Sequence, residues 1–130
     1  VPVIAIVTGE GSSGGALAIG VANSVLMLEN AVYSILSPEG YATILWKDSS
    51  RSEEACEMMK LTAQDLKEFN VIDDIIPEPI GGAHQNPKAI FKTVDKHLKK
   101  ELEKYLKMSP DELSKHRYKK FRNASCVCDK

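Results

Sequence analysis

The sequence predicts an α/β fold, in which short apolar strands alternate with helices. Three observations carry that prediction. Val3 to Thr8 is an apolar run that ends at Gly9, the pattern of a buried strand. Ser37-Pro38-Glu39 combines an N-cap, a proline at the first helical position and an early acid, the start signal of a helix. Phe91, Val94, Leu98, Leu102 and Tyr105 recur at spacings of three and four among lysines, the apolar stripe of an amphipathic helix.

Taken in order, Val3–Thr8 is the first strand. The small and aliphatic residues from Gly14 to Asn23 predict a helix able to pack closely on a sheet. Val25–Leu28 and Ala31–Leu36 are short β-prone runs separated by Glu29-Asn30. The helix opened by Ser37 should run to about Trp46. Two helical pieces follow, Ser52–Leu61 and Thr62–Phe69, the second capped by Thr62 and stopped by Asn70. Val71–Ile76 returns to strand character before the Pro- and Gly-dense loop "PEPIGGAHQNP". Asn86-Pro87 starts the longest helix, and Ser109-Pro110-Asp111-Glu112 is a capping box for a last, very basic one to about Arg122. These two helices are expected to reach away from the core as an arm, and only the last few residues to be unstructured.

The chain has 130 residues, about one domain, with 43% hydrophobic and 27% charged residues. That composition excludes disordered and fibrous classes. No apolar run approaches the roughly 20 residues of a membrane span, and no signal-peptide pattern opens the chain. A start inside an apolar strand, without Met, reads as a piece of a longer protein. Cys56, Cys126 and Cys128 are too few for a disulfide framework, so a reducing compartment is expected. Cys126 and Cys128 with His116 fall short of a four-ligand zinc set, so no metal is expected.

Charge is unevenly distributed. Residues 1–87 carry 4 Lys+Arg against 12 Asp+Glu, and residues 88–130 carry 13 against 6. A solvated helix surface or a subunit contact accounts for this better than nucleic acid, because only Tyr105, Tyr118 and Phe121 accompany the basic residues as stacking groups.

The stretch "VTGEGSSGGALAIG" admits three chemistries. Gly9-Glu10-Gly11-Ser12-Ser13-Gly14 fits the dinucleotide fingerprint, with Glu29 as the ribose-binding acid, although Glu29 follows closely for a helix and a strand between. Gly11-Ser12-Ser13-Gly14-Gly15 fits the hydrolase elbow, with Ser13 as nucleophile and Asp73 or Asp74 and His84 as partners. In the third, consecutive glycines direct backbone amides into one cavity at a helix N-terminus, the geometry of an oxyanion hole. A tight glycine turn serving packing alone is the alternative to all three.

The combination "GEGSSGGALAIG…SPEGYATILWK…PEPIGGAH", continued by "VIDDIIPEPIGGAHQNP" and "SPDELSKHRYKKFRN", resembles the C-terminal half of the α subunit of bacterial-type acetyl-coenzyme A carboxylase carboxyltransferases over about residues 1 to 123. The resemblance implies a partial ClpP/crotonase-like spiral of ββα units with long C-terminal helices. Residues 1–86 would be the C-terminal part of that domain, 87–123 a helical arm and 124–130 a tail. It implies a cytoplasmic enzyme that moves a carboxyl group from carboxybiotin, on a biotin carboxyl carrier protein, to acetyl-CoA, giving malonyl-CoA. The partners implied are the β subunit in an α2β2 assembly, the carrier protein and biotin carboxylase, with no nucleic acid or membrane. No cofactor would be bound by this chain, carboxybiotin and acetyl-CoA being substrates.

In the family the glycine-turn amides of the α subunit are read as holding the biotin carbonyl oxygen, while biotin's own nitrogen takes the methyl proton. The matching catalytic positions are Gly14, Gly15 and Ala16, with Gly15 and Ala16 the first choice of donors and Gly11 shaping the turn. Gly11, Ser12, Ser13 and Tyr41 are the substrate-binding candidates. For Tyr41, Trp46 and Lys47, core packing or a subunit contact stands beside a place on the biotin side. His84 is expected to order its loop through Gly81-Gly82. The alternatives are a non-catalytic assembly fragment and a serine hydrolase using Ser13.

Overall fold

The computed structural model describes residues 1–124, so Cys126 and Cys128 lie outside the described residues. Five strands and six helices follow in chain order: β1 (Ile4–Val7), β2 (Glu10–Ser12), α1 (Ser13–Ile19), β3 (Ser24–Leu28), β4 (Val32–Ser34), α2 (Pro38–Trp46), α3 (Ser52–Met59), α4 (Ala63–Glu68), β5 (Asp74–Ile76), α5 (Pro87–Tyr105) and α6 (Pro110–Ala124). Ala124, assigned from sequence to an unstructured tail, is therefore the last residue of a helix.

The strands form two small parallel sheets, one ordered β1-β3-β5 and one pairing β2 with β4. All five residues of β3 are buried, as expected of the middle strand of a parallel sheet. Ile4 pairs with Ser24, and Leu26 with Asp74, which sets the register on either side. Val25, Leu26, Met27 and Leu28 meet Ala63, Leu66, Ile72, Ile76 and Ile90 in one core. This is a mixed α/β architecture, as the sequence predicted.

The helix starts follow local chemistry. The Ser37 side chain accepts from the Gly40 amide at 3.2 Å, and Pro38 occupies the first turn of α2. The Thr62 hydroxyl accepts from the Asp65 amide at 3.3 Å, and the Asn86 side chain from the Ala89 amide at 3.1 Å. At α6 the capping box is reciprocal: the Glu112 amide donates to Ser109 Oγ at 3.3 Å and the Ser109 amide to Glu112 Oε2 at 2.7 Å.

Four expectations change. β2 was read as part of the glycine turn, yet Glu10, Gly11 and Ser12 pair with Val32, Tyr33 and Ser34. The helix predicted over Gly14–Asn23 ends at Ile19 and buries no residue. Asn23 immediately precedes β3, and its side chain accepts from the Val3 amide at 3.0 Å.

The third change is the face that α5 turns inward. Phe91 is 70% exposed and Leu102 is 38% exposed, whereas Ile90, Glu101 and Tyr105 are buried. Ile90 and Val94 meet the core. Val94 and Tyr105 of the predicted stripe do face inward, but the buried face also takes in Glu101, which has a polar partner in Ser24, as burial of a charged group requires.

The fourth concerns the arm. α5 and α6 fold back on the sheet instead of reaching away. Asn23 Nδ2 donates to the Leu113 carbonyl at 3.0 Å, and Tyr105 donates to the Asn23 carbonyl at 2.9 Å. Ser24 Oγ donates to Glu101, and Lys120 pairs with Asp73. No helix among the described residues is long and apolar enough to cross a membrane.

Candidate functional site

The glycine-rich stretch forms a strand–turn–helix. Ser12 ends β2 in extended conformation, at φ −135° and ψ 158°. Ser13 then takes φ +69°, a left-handed value that costs a non-glycine residue about 1–3 kcal/mol. α1 begins there, turning the chain so that Gly14 and Gly15 lie exposed in its first turn. A side chain would meet nothing within 4 Å at Gly14, and only Ser13 Oγ, at 4.0 Å, at Gly15.

Amide accounting decides which donors are free. The helix begins after Ser12, so the first i to i−4 bond runs from the Ala16 N–H to the Ser12 carbonyl. The N–H groups of Ser13, Gly14 and Gly15 have no acceptor within the helix. Ser12 provides no side-chain cap and the first turn carries no acid to occupy them. Ser12 Oγ instead lies 3.5 Å from Ser34 Oγ, across the β2–β4 pair. Of the three amides selected from sequence, those of Gly14 and Gly15 are free, and that of Ala16 is committed to the helix.

Ala16 contributes through its carbonyl. That oxygen accepts from the Gly20 amide at 2.9 Å and from the Tyr33 hydroxyl at 3.3 Å. Tyr33 stands on β4, opposite Gly11. An added Cβ at Gly11 would sit 3.0 Å from Tyr33 Cδ2 and 3.1 Å from Val7 Cγ1. One at Gly20 would run into the Tyr33 hydroxyl and stand 3.2 Å from the Ala16 oxygen. Gly11 is thus a packing glycine inside a strand, where the sequence suggested a turn-former. Burial pushes the Tyr33 phenol pKa above its ordinary value, which keeps it a proton donor. Sequence reasoning missed Tyr33, whose signal was the pair of small residues, Gly11 and Gly20, that accommodate it.

A cavity of about 270 Å³ opens beside the turn, walled by Thr8, Glu10, Gly11, Ala16, Ile19 and Tyr33. Ile19 is 73% exposed and Leu17 56% exposed, so α1 presents apolar side chains outward.

Two of the chemistries admitted by the glycines are not assembled. The dinucleotide fingerprint needs one turn between strand and helix, but Gly11 lies within β2 and the Glu29 carboxylate accepts from the Glu78 amide at 3.0 Å. The hydrolase triad needs Ser13 bonded to a base and the base to an acid. His84 instead contacts Gln85, at 3.2 Å, within a 3-10 turn over Ala83–Gln85. Asp74 faces His97 and Lys100, each at 3.5 Å, and Asp73 faces Lys120 and accepts from the Val25 amide at 2.6 Å. Among the described residues no hydrogen bond joins Ser13 to a histidine.

Tyr41 is drawn into another cluster. Its ring meets Trp46 edge-on, with centroids 6.3 Å apart, and the Arg51 guanidinium lies 3.9 Å over the Trp46 ring. Lys47 closes α2 at φ +59°. Among the described residues no group of His, Cys, Asp and Glu is gathered as a metal ion would need.

Comparison with known proteins adds an independent line. The family described as acetyl co-enzyme A carboxylase carboxyltransferase-like matches residues 1–125. The acetyl-coenzyme A carboxylase carboxyl transferase subunit alpha of Clostridium perfringens (strain ATCC 13124) is 58% identical over 123 residues, which are 95% of this chain and 45% of that protein. The subunit alpha of Carboxydothermus hydrogenoformans is 54% identical over 122 residues, covering 93% of this chain and 38% of the relative. That of Staphylococcus haemolyticus is 52% identical over 130 residues, the whole chain and 41% of the relative. The chain thus spans less than half the length of these relatives. Its glycine turn, capped helices and buried central strand all lie within the matched region, and the chain belongs to the acetyl co-enzyme A carboxylase carboxyltransferase-like family.

Proposed function

We propose that this chain is part of the α subunit of an acetyl-CoA carboxylase carboxyltransferase. The observation that carries the reading is the exposed first turn of α1, where the Gly14 and Gly15 amides have no acceptor and nothing crowds them. Such preorganised donors stabilise charge that develops on an oxygen during reaction. The relatives' shared name supports the reaction class.

The substrates supply the chemistry: a carboxyl group passes from the nitrogen of carboxybiotin to the methyl carbon of acetyl-CoA, replacing one of its protons and giving malonyl-CoA. This chain's part is to bind and orient the biotin ring, with the Gly14 and Gly15 N–H groups directed at its carbonyl oxygen. The Ser13 side chain takes no part. A β subunit, in an α2β2 assembly, completes the site, and a biotin carboxyl carrier protein and biotin carboxylase deliver the carboxyl group. The two parallel sheets, whose strands alternate with helices along the chain, support a partial ClpP/crotonase-like spiral, and the location proposed is the cytoplasm.

The test is the reverse half-reaction, malonyl-CoA-dependent carboxylation of biocytin, by the full-length subunit assembled with its β partner. Ser13→Ala, which keeps the amide, is expected to hold turnover within about threefold, as suits a side chain outside the chemistry. Gly15→Pro removes an N–H in the first helical turn, where the proline ring is tolerated. It is expected to lower turnover by about 10²–10³-fold, the scale for one lost oxyanion donor. Loss of activity in a folded Ser13→Ala enzyme would return the serine to consideration as a nucleophile. An assembled complex with no turnover in the parent would leave the chain an assembly element, a role that the exposed apolar side chains of α1 also suit.

A further inference from the structure

We propose that Tyr33 is the positioning residue of the glycine turn, fixing α1 by donating its hydroxyl to the Ala16 carbonyl while its ring fills the space between Gly11 and Gly20. The inference rests on the reading of the Gly14 and Gly15 amides given above, and adds the group that holds them in place.

α1 cannot hold itself. None of its residues is buried, so it lacks the apolar anchoring that normally orients a helix on a sheet. It is also short, seven residues, and an isolated helix of that length is unstable in water. Its N-terminus is tethered by β2, through the pairing of Ser12 with Ser34. At its other end the chain leaves through Gly20 toward β3. Between those tethers, the side-chain hydrogen bond that ties α1 to the sheets among the described residues is the one from Tyr33 to Ala16, at 3.3 Å.

The bond is directional where it matters. Ala16 carries both the carbonyl that Tyr33 holds and the N–H that bonds to Ser12, one residue after the free amide of Gly15. Holding the Ala16–Leu17 peptide, whose neighbour carries the Ala16 N–H, therefore restricts rotation of the first turn about the α1 axis. The ring is closely packed on the side of Gly11 and Gly20. Gly11 and Gly20 are both places where a side chain would strike Tyr33, so the two glycines and the tyrosine act as one packed unit.

Tyr33 also lines both cavities that flank α1. One is the 270 Å³ cavity beside the turn; the other, about 300 Å³, lies between Leu17, Ile35, Val71 and Phe121. Gly20 and Val25 are shared by the two walls as well, so Tyr33 stands where both cavities meet α1. Because Tyr33 acts through the Ala16 carbonyl, its hydroxyl should matter to turnover and little to substrate affinity.

The experiment uses the full-length subunit assembled with its β partner, assayed by malonyl-CoA-dependent carboxylation of biocytin. Tyr33→Phe keeps the ring and removes the hydroxyl. It is expected to lower kcat about three- to tenfold, the scale of one neutral hydrogen bond. KM for biocytin should stay within about twofold and the melting temperature and assembly should match the parent, the signature of a lost transition-state interaction. Gly15→Pro is assayed beside it as the control on the underlying reading. Parent-like kcat for Tyr33→Phe together with an inactive Gly15→Pro overturns the role of Tyr33 and leaves the amide reading intact. A fall in kcat accompanied by a fall in melting temperature assigns Tyr33 to stability alone and overturns the positioning role. Full activity in both variants overturns the amide reading and this inference with it.

Discussion

The Tyr105 hydroxyl lies 2.8 Å from Ser24 Oγ, joining α5 to the first residue of the central strand across 81 positions of sequence. The same hydroxyl donates to the Asn23 carbonyl at 2.9 Å, accepts from Lys104 Nζ at 3.1 Å, and is fully buried. Tyr105→Phe would strand the Asn23 carbonyl and one contact of Ser24. A loss of about 1–3 kcal/mol is expected, read as a lower urea midpoint at unchanged m value. A midpoint equal to the parent's would show that the network does not hold α5 to the sheet.

Acidification should loosen α6 through His116. Its ring packs edge-on against Tyr105 with centroids 5.2 Å apart, and its Nδ1 is buried without a partner. Burial, then the Lys104 and Lys120 charges, depress its pKa below 6.5, while Asp73 and Glu101 offset this in part. Below 6.5 the unfolded chain therefore binds more protons than the folded one. Stability from this group is fully present above pH 6.5 and is lost as pH falls from there through the lower folded-state value. Urea midpoints between pH 7.5 and 5 should fall less steeply for His116→Leu than for the parent.

Ser13→Gly should stabilise the protein by about 1 kcal/mol, because glycine adopts φ +69° without the penalty that serine bears. Thermal denaturation of both forms measures it. A lower melting temperature for the glycine variant would mean that the serine side chain contributes more than its backbone costs.

At Gly20 an alanine methyl would collide with the Tyr33 hydroxyl. Gly20→Ala is expected to cost about 1–3 kcal/mol as an overpacked site. Adding Tyr33→Phe should recover most of that loss, since the colliding atom is gone. A double-mutant cycle reports the coupling, and strict additivity of the two changes would contradict this geometry.

Two neighbours on α5 should respond in opposite ways. Ile90 is 5% exposed within the core, and Ile90→Ala is expected to cost about 2–4 kcal/mol. Phe91 faces outward, and Phe91→Ser should stay within about 0.5 kcal/mol of the parent in this chain. Denaturant titration of the pair distinguishes this rotation of the helix from the one that the apolar stripe suggested.

What the sequence by itself determined is whatever depends on neighbours in the chain. Ser37-Pro38, Thr62, Asn86-Pro87 and Ser109…Glu112 mark helix starts because a cap and the amides it satisfies lie within three residues of each other. Val25 to Leu28 was legible as a strand but not as the buried middle one; Val3–Thr8, which has the pattern of a buried strand, forms the half-buried β1, because only β3 has a partner on both sides. A helix N-terminus near the glycines was legible too, whereas which of the Gly14, Gly15 and Ala16 amides the helix uses was not. Tertiary structure decided the rest, because it depends on groups far apart in sequence. Ser12 became the end of a strand only through its pairing with Ser34, which moved the helix start and committed the Ala16 amide. Tyr105 lies inward as its place in the stripe predicts, but α5 also turned Glu101 inward and left Phe91 outside, because Ser24 lies beneath Glu101. Asp73 and Asp74 met Lys120 and His97 instead of His84. A local pattern specifies which faces are apolar, but a buried polar group takes the partner that the fold brings to it, because leaving it unpaired costs more than rotating a helix.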